Sequence, residues 1–143
     1  MKVLLDTNVY INALRSEADR ARFRATFFPL LPATVLSAVV EYELSVNAAD
    51  TRTRDLLSEF VAPMERAGRV VTPSFGDWQA ASGIVSSIAR KEGSWKSKTP
   101  SLQNDVLIAL GARRVGAELI TFNGRDFRVI RRHVDFALRA LDS

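Results

Sequence analysis

The sequence predicts an α/β fold: a central, mostly parallel sheet of four to five strands, with helices on both faces. Three observations predict it. Short apolar runs recur along the 143 residues, at Lys2–Leu5, Thr34–Leu36, Arg69–Thr72 and Glu118–Phe122, each too short for a helix. Segments with helical apolar spacing separate them, and such alternation closes most simply into a parallel sheet covered by helices. The length suits one domain over residues 1–143, since domains commonly run about 100–150 residues.

Taken in order, Lys2–Leu5 is a buried strand that stops at an acid, Asp6. Asp6-Thr7-Asn8 supplies capping side chains for a helix through Val9–Leu14. An arginine-rich helix over Asp19–Phe27 is stopped by Pro29 and Pro32. Thr34–Leu36 is the second strand, and Ser37 caps a helix that runs to about Ala49. Arg54–Ala67 is helical by spacing and ends near Gly68. Arg69–Thr72 is the third strand, followed by a helix over Phe75–Arg90. Gly93–Pro100 reads as a loop and Leu102–Val115 as a helix. Glu118–Phe122 is the fourth strand, closed by the turn pair Asn123-Gly124, and a last, weaker strand signal lies near Val134–Phe136. Active sites of such folds lie beyond the carboxyl ends of the strands, where strand order reverses. Asp6 and Thr121–Asp126 are therefore expected at one mouth.

Composition narrows the chemistry. With 47% hydrophobic and 25% charged residues, the chain reads as an ordinary globular protein. No apolar run approaches the ~18 residues of a membrane span. An acid follows three apolar residues at the start, so a signal-peptide core is missing and a cytoplasmic location is expected. The absence of cysteine excludes thiol nucleophiles, cysteine zinc sites and disulfides. The single histidine, His133, excludes ribonuclease chemistry that needs two and reads as a structural or surface residue. Gly111–Gly116 has Walker-like glycine spacing, but Ala117-Glu118 stands where a phosphate loop needs Lys-Ser/Thr. A net charge of +4, with 16 of the 20 basic residues arginine, favours a polyanionic partner such as nucleic acid.

Four acids stand in apolar or strand-end settings where charge is costly without a purpose: Asp6, Glu43, Asp105 and Asp126. At roughly 100° per residue, Glu43 falls between Val39 and Val40 and looks inward, while Glu41 projects near Ser45 and Ala48. Asp105 shares its face with Ala109 and Ala112, small residues that leave room beside it. Each acid alone has an ordinary explanation: a cap at Asp6, a helix-dipole partner at Asp105, a turn at Asp126, an arginine pair for Glu43. Four at one mouth do not. Crowded carboxylates repel one another unless a cation compensates them, and Mg²⁺ is the hard, oxygen-seeking cation for that role. Such an ion makes water nucleophilic and neutralises charge on a phosphate under attack. An acidic pocket with a basic rim predicts phosphodiester hydrolysis.

These residues carry a resemblance. Leu4-Leu5-Asp6-Thr7-Asn8, Ser37 with Glu43-Leu44, Asn104-Asp105-Val106-Leu107-Ile108-Ala109 and Leu119 through Phe127 are similar to the motifs of PIN-domain nucleases, in order and over nearly the whole chain. In length and spacing the chain most resembles the VapC toxins of toxin–antitoxin pairs. The resemblance implies a Mg²⁺- or Mn²⁺-dependent endoribonuclease, dimeric, neutralised by a small cognate antitoxin. It implies metal-binding acids at Asp6, Glu43 and Asp105. Relatives divide over the fourth acid, some placing it where this chain has Asn123 and others at Asp126. Thr7, Asn8, Thr121 and Asn123 would orient the acids or water.

Other residues invite a role in binding. Arg125 and Arg128 follow the strand-end turn and suit RNA phosphates or an acidic part of an antitoxin. Trp95, between Glu92 and Pro100, lies beside Lys96 and Lys98, a grouping that stacks a base and steers a backbone. Two other functions compete. A phosphohydrolase with Asp6 as covalent nucleophile wants a second aspartate two residues on, where this chain has Asn8. A regulatory, antitoxin-bound nucleic-acid-binding module with a silent nuclease site would bind no Mn²⁺.

Overall fold

In the computed structural model, which describes residues 1–142 apart from the side chains of Lys96 and Ser97, Val3–Leu5 forms the central strand, β1. Its three consecutive side chains are all buried. Successive strand residues face opposite ways, so this burial requires cover on both faces of the sheet. Four more strands, β2 (Thr34–Ser37), β3 (Val70–Val71), β4 (Glu118–Thr121) and β5 (Leu138–Ala140), complete a wholly parallel sheet in the order β3-β2-β1-β4-β5. Leu4 lies opposite Val35 on one side and Leu119 on the other. The chain grows away from β1 in one direction and resumes on its other side, so strand order reverses between β1 and β4. The predicted α/β class is the one observed.

The helices follow from the sequence with few surprises. Asp6 caps α1 (Thr7–Ala13), its Oδ1 accepting from the Thr7 amide at 2.8 Å. Ser37 caps α3 (Ala38–Asn47), its hydroxyl accepting from the amides of Val39 and Val40. Phe23 of α2 (Glu17–Phe27) meets Phe60 of α4 (Thr51–Arg66) with ring centroids 4.7 Å apart, locking those helices over one face. Helix α5 (Phe75–Lys91) leads to α6 (Thr99–Val115), where Val106 through Ala112 are buried without interruption. A helix apolar on every side belongs inside. Asp105 is the last residue before that buried stretch, which carries it to the edge of the core. No helix among the described residues is long and apolar enough to cross a membrane.

Three expectations need correction. The final strand is Leu138–Ala140, not Val134–Phe136. Phe136 is buried because it packs edge-on against Phe127, with centroids 6.4 Å apart, so its apolar signal came from the core and not from a ladder. Asn123-Gly124 does not simply turn the chain: Gly124 begins α7 (Gly124–Arg131), whose buried face is Gly124, Phe127 and Ile130. The Gly124 amide donates to both oxygens of Asp142, at 3.0 and 3.1 Å, a contact from 18 residues away. A Cβ at Gly124 would stand 2.6 Å from that of Ala140, so only glycine fits where α7 crosses β5. The Gly93–Pro100 loop is a 3-10 segment over Gly93–Lys98 followed by the first turn of α6.

Candidate functional site

Four elements deliver the acids to the mouth where strand order reverses. Asp6 ends β1 and is almost fully buried. Its Oδ2 accepts from the Thr121 hydroxyl at the end of β4, at 2.7 Å. That hydroxyl also accepts from the Asn8 amide at 3.3 Å and from the Asn123 backbone at 2.9 Å. The Asn8 carbonyl oxygen in turn accepts from the Phe122 amide at 3.1 Å. Thr7, Asn8, Thr121 and Asn123 thus form one network that holds Asp6 and joins α1 to the β4–α7 turn.

Glu43 comes from the second turn of α3. Its Oε1 accepts from the Thr7 hydroxyl at 2.5 Å and its Oε2 from the Asn104 amide at 3.2 Å. Asn104 was legible in the sequence only as the neighbour of Asp105; that position gave it no role. Glu41, on the same helix, faces the α3–α4 cleft, where Ser45 and Glu65 are its neighbours. Asp126 sits in the first turn of α7 and accepts from the Asn123 side chain at 2.9 Å. Asn123 therefore ties its side chain to the Asp126 carboxylate at the start of α7.

Asp105 is the group on which these charges converge. It keeps part of its surface open to solvent but lies deep enough that burial pushes its carboxyl up to about 8, with the charges of Asp6, Glu43 and Asp126 adding to the rise. Burial likewise raises Asp6 to about 6; hydrogen bonds from Thr121 and Thr7 oppose the shift, and the charge of Glu43 adds to it. No hydrogen bond from a described residue reaches the Asp105 carboxylate. At neutral pH the cluster therefore keeps protons that free carboxyls would lose, which is the behaviour of a carboxylate set that a divalent cation would balance. As placed, no group of three or more histidine, aspartate or glutamate side chains among the described residues is arranged to hold an ion. Carboxylate oxygens are nonetheless the donors that a hard divalent cation takes, together with waters it keeps.

The binding residues expected from sequence divide. Arg125 and Arg128 are exposed and, among the described residues, neither is ion-paired, whereas Arg132 pairs with Glu92 and Arg139 with Glu118. Trp95 is buried in the core, with Lys98 Nζ 5.4 Å from its ring centroid. It has no free face, so the expectation that it stacks a base does not hold. Lys98 is exposed but is drawn to that ring, and the Lys96 side chain lies outside the described residues. The exposed tryptophan is Trp78 on α5, which helical spacing alone did not single out.

A family model described as PIN domain matches residues 3–133. Comparison with curated proteins gives no match. Among solved structures, the chain is similar to VapBC2 from Rickettsia felis bound to a DNA fragment from their promoter, with TM-score 0.69 and 20% identity over 99% of this chain and 100% of that one. It is similar to DNA-bound VapBC from Salmonella typhimurium, with TM-score 0.66 and 23% identity over 98% of each chain. It is also similar to FitAcB from Neisseria gonorrhoeae, with TM-score 0.63 and 23% identity over 95% of each. At these identities the likeness is one of fold.

Proposed function

The chain belongs to the PIN-domain family, and from that premise we propose that it is a divalent-metal-dependent endoribonuclease, the toxin of a toxin–antitoxin pair. The observation that carries this reading is the crowding of Asp6, Glu43 and Asp126 around Asp105 at the switch point of the sheet. Asp6, Glu43 and Asp105 would hold Mg²⁺ or Mn²⁺, with Asp126 completing the acidic wall. The ion, when bound, lowers the pKa of water and offsets charge on the scissile phosphate. The protein's own groups set the stage for that chemistry. Thr121 and the Thr7 amide fix both oxygens of Asp6, and Thr7 and Asn104 fix both of Glu43, so little reorganisation is left for the reaction itself. The rim supplies the grip on the substrate. The fold it shares with VapBC and FitAcB supports a small cognate antitoxin as partner, and the family resemblance supports a homodimer working in the cytoplasm.

Incubating the purified, partner-free protein with total bacterial RNA in Mg²⁺ or Mn²⁺ tests the reading. Discrete fragments that disappear in EDTA are expected; intact RNA together with no detectable Mn²⁺ binding would move the site to a purely binding role. The rim makes its own prediction. Arg125→Ala and Arg128→Ala should each weaken RNA binding and reduce the slope of log K against log salt by about 0.7, the loss of one single-strand phosphate contact. An unchanged slope across a salt series would place the phosphate path elsewhere.

A further inference from the structure

Beside the acid cluster lies a groove of a different chemical character. Tyr42 on α3 and Trp78 on α5 line a cavity of about 540 Å³, together with Pro73, Pro100, Gln103 and Asn104. No residue of its lining is charged. The two aromatic side chains are 58% and 48% exposed, and among the described residues neither is stacked on another ring. Large rings left open to water beside an apolar cavity mark a surface that something covers.

Its position indicates what that is. Asn104 lines the groove and also donates to Glu43 Oε2 at 3.2 Å, so the groove and the cluster share a wall. A ligand reaching the acids along this wall passes the rings. Phosphate finds no cation in the lining, whereas a flat, neutral group with polar edges finds aromatic faces and the exposed Gln103 amide. We propose that the groove holds an unpaired base of single-stranded RNA next to the bond that is cut, with Trp78 stacking on its face and Gln103 meeting its edge. The inference rests on reading the cluster as an RNA-cleaving centre, and it makes Trp78 a specificity-determining residue for that reaction.

Two measurements separate its failure from that of the function. In the first, a single-stranded RNA carrying the mapped cleavage site is made with an abasic nucleotide at successive positions. For the parent protein, one position beside the scissile bond should lower kcat/KM roughly 5- to 150-fold, the range expected for one stacked base. Trp78→Ala should lose the same factor on intact RNA and lose nothing further at that position, while Trp78→Phe keeps most of the activity. In the second, RNA binding is followed by tryptophan emission in EDTA, without cleavage. Of the chain's two tryptophans Trp95 is buried, so saturable quenching that disappears in Trp78→Phe reports contact with the base. If the parent protein neither cuts RNA nor binds Mn²⁺ but RNA still quenches Trp78, the nuclease reading fails and the groove's contact with a base stands. Cleavage by Trp78→Ala equal to the parent's, without quenching, overturns the inference. So does a shift of Trp78→Ala from dimer to monomer in sedimentation without quenching, because a second copy would then cover the groove.

Discussion

Asp105→Asn should cut RNA about 10³-fold more slowly than the parent protein, the scale of loss when one preorganised group facing developing charge is removed. Asp105 is the acid that senses Asp6, Glu43 and Asp126 together, so its charge is the one a cation in the pocket would meet from every side. Asparagine keeps the shape and removes the charge. The variant should therefore fold, with an unchanged circular dichroism spectrum, and bind Mn²⁺ more weakly in a titration. Glu41→Gln is the informative control. Glu41 lies on the same helix as Glu43 but faces Glu65 across the α3–α4 cleft, and cleavage should not change when its charge goes. Full activity in Asp105→Asn would remove the cluster from the reaction.

The second large effect is on stability. An ordinary aspartate near 3.8 is raised to about 6 at Asp6 and about 8 at Asp105. Between 3.8 and those values the native chain holds protons that the unfolded chain has released, so the slope of unfolding free energy with pH is negative. The metal-free protein should thus be more stable at pH 5 than at pH 8.5. The stabilisation is complete below the unfolded value and is lost as pH climbs through the two folded ones. A tenfold change in proton affinity is worth about 1.4 kcal/mol. Allowing for the part of Asp105 open to solvent, the loss is on the order of 3 kcal/mol, roughly 10 °C in Tm for a domain of this size. Asp19, Asp50 and Asp77, whose hydrogen bonds and arginine neighbours hold their carboxyls low, act in the opposite sense only below about pH 4 and leave this window alone. Thermal melts in EDTA across pH 5–8.5 measure it. Asp105→Asn should flatten the curve and melt higher than the parent at pH 8.5. Mg²⁺ should recover the loss at high pH, with protons released on binding. A Tm that rises with pH over this range would falsify the crowding of these acids.

The parts of this molecule legible in its sequence are those decided by near neighbours along the chain. Val3-Leu4-Leu5 announces a strand covered on both faces, because no alternation of polar residues interrupts it. Asp6 and Ser37 announce caps, because a short oxygen-bearing side chain before a helix has few better partners than the first free amides. The inward turn of Glu43, and the outward turn of Glu41, follow from helical rotation alone. Even the meeting of Asp6 with the Thr121 segment follows from a general property of parallel sheets, whose strand ends share one edge.

What only the tertiary structure decided depends on contacts between distant segments. Asn123-Gly124 carries a turn signal, and it becomes a helix start because Asp142, 18 residues on, takes up the Gly124 amide. Val134–Phe136 has the composition of a strand, but its aromatic ring packs on Phe127, and pairing falls instead to Leu138–Ala140. The two tryptophans show the limit most clearly. Trp95, set among lysines in a polar stretch, is buried, and Trp78, inside a helix of good apolar spacing, stands open in the groove that Asn104 shares with the acid cluster. A side chain's own chemistry says what it can bind. Whether its face is free is settled by which surfaces the rest of the chain brings against it, and that information is not local.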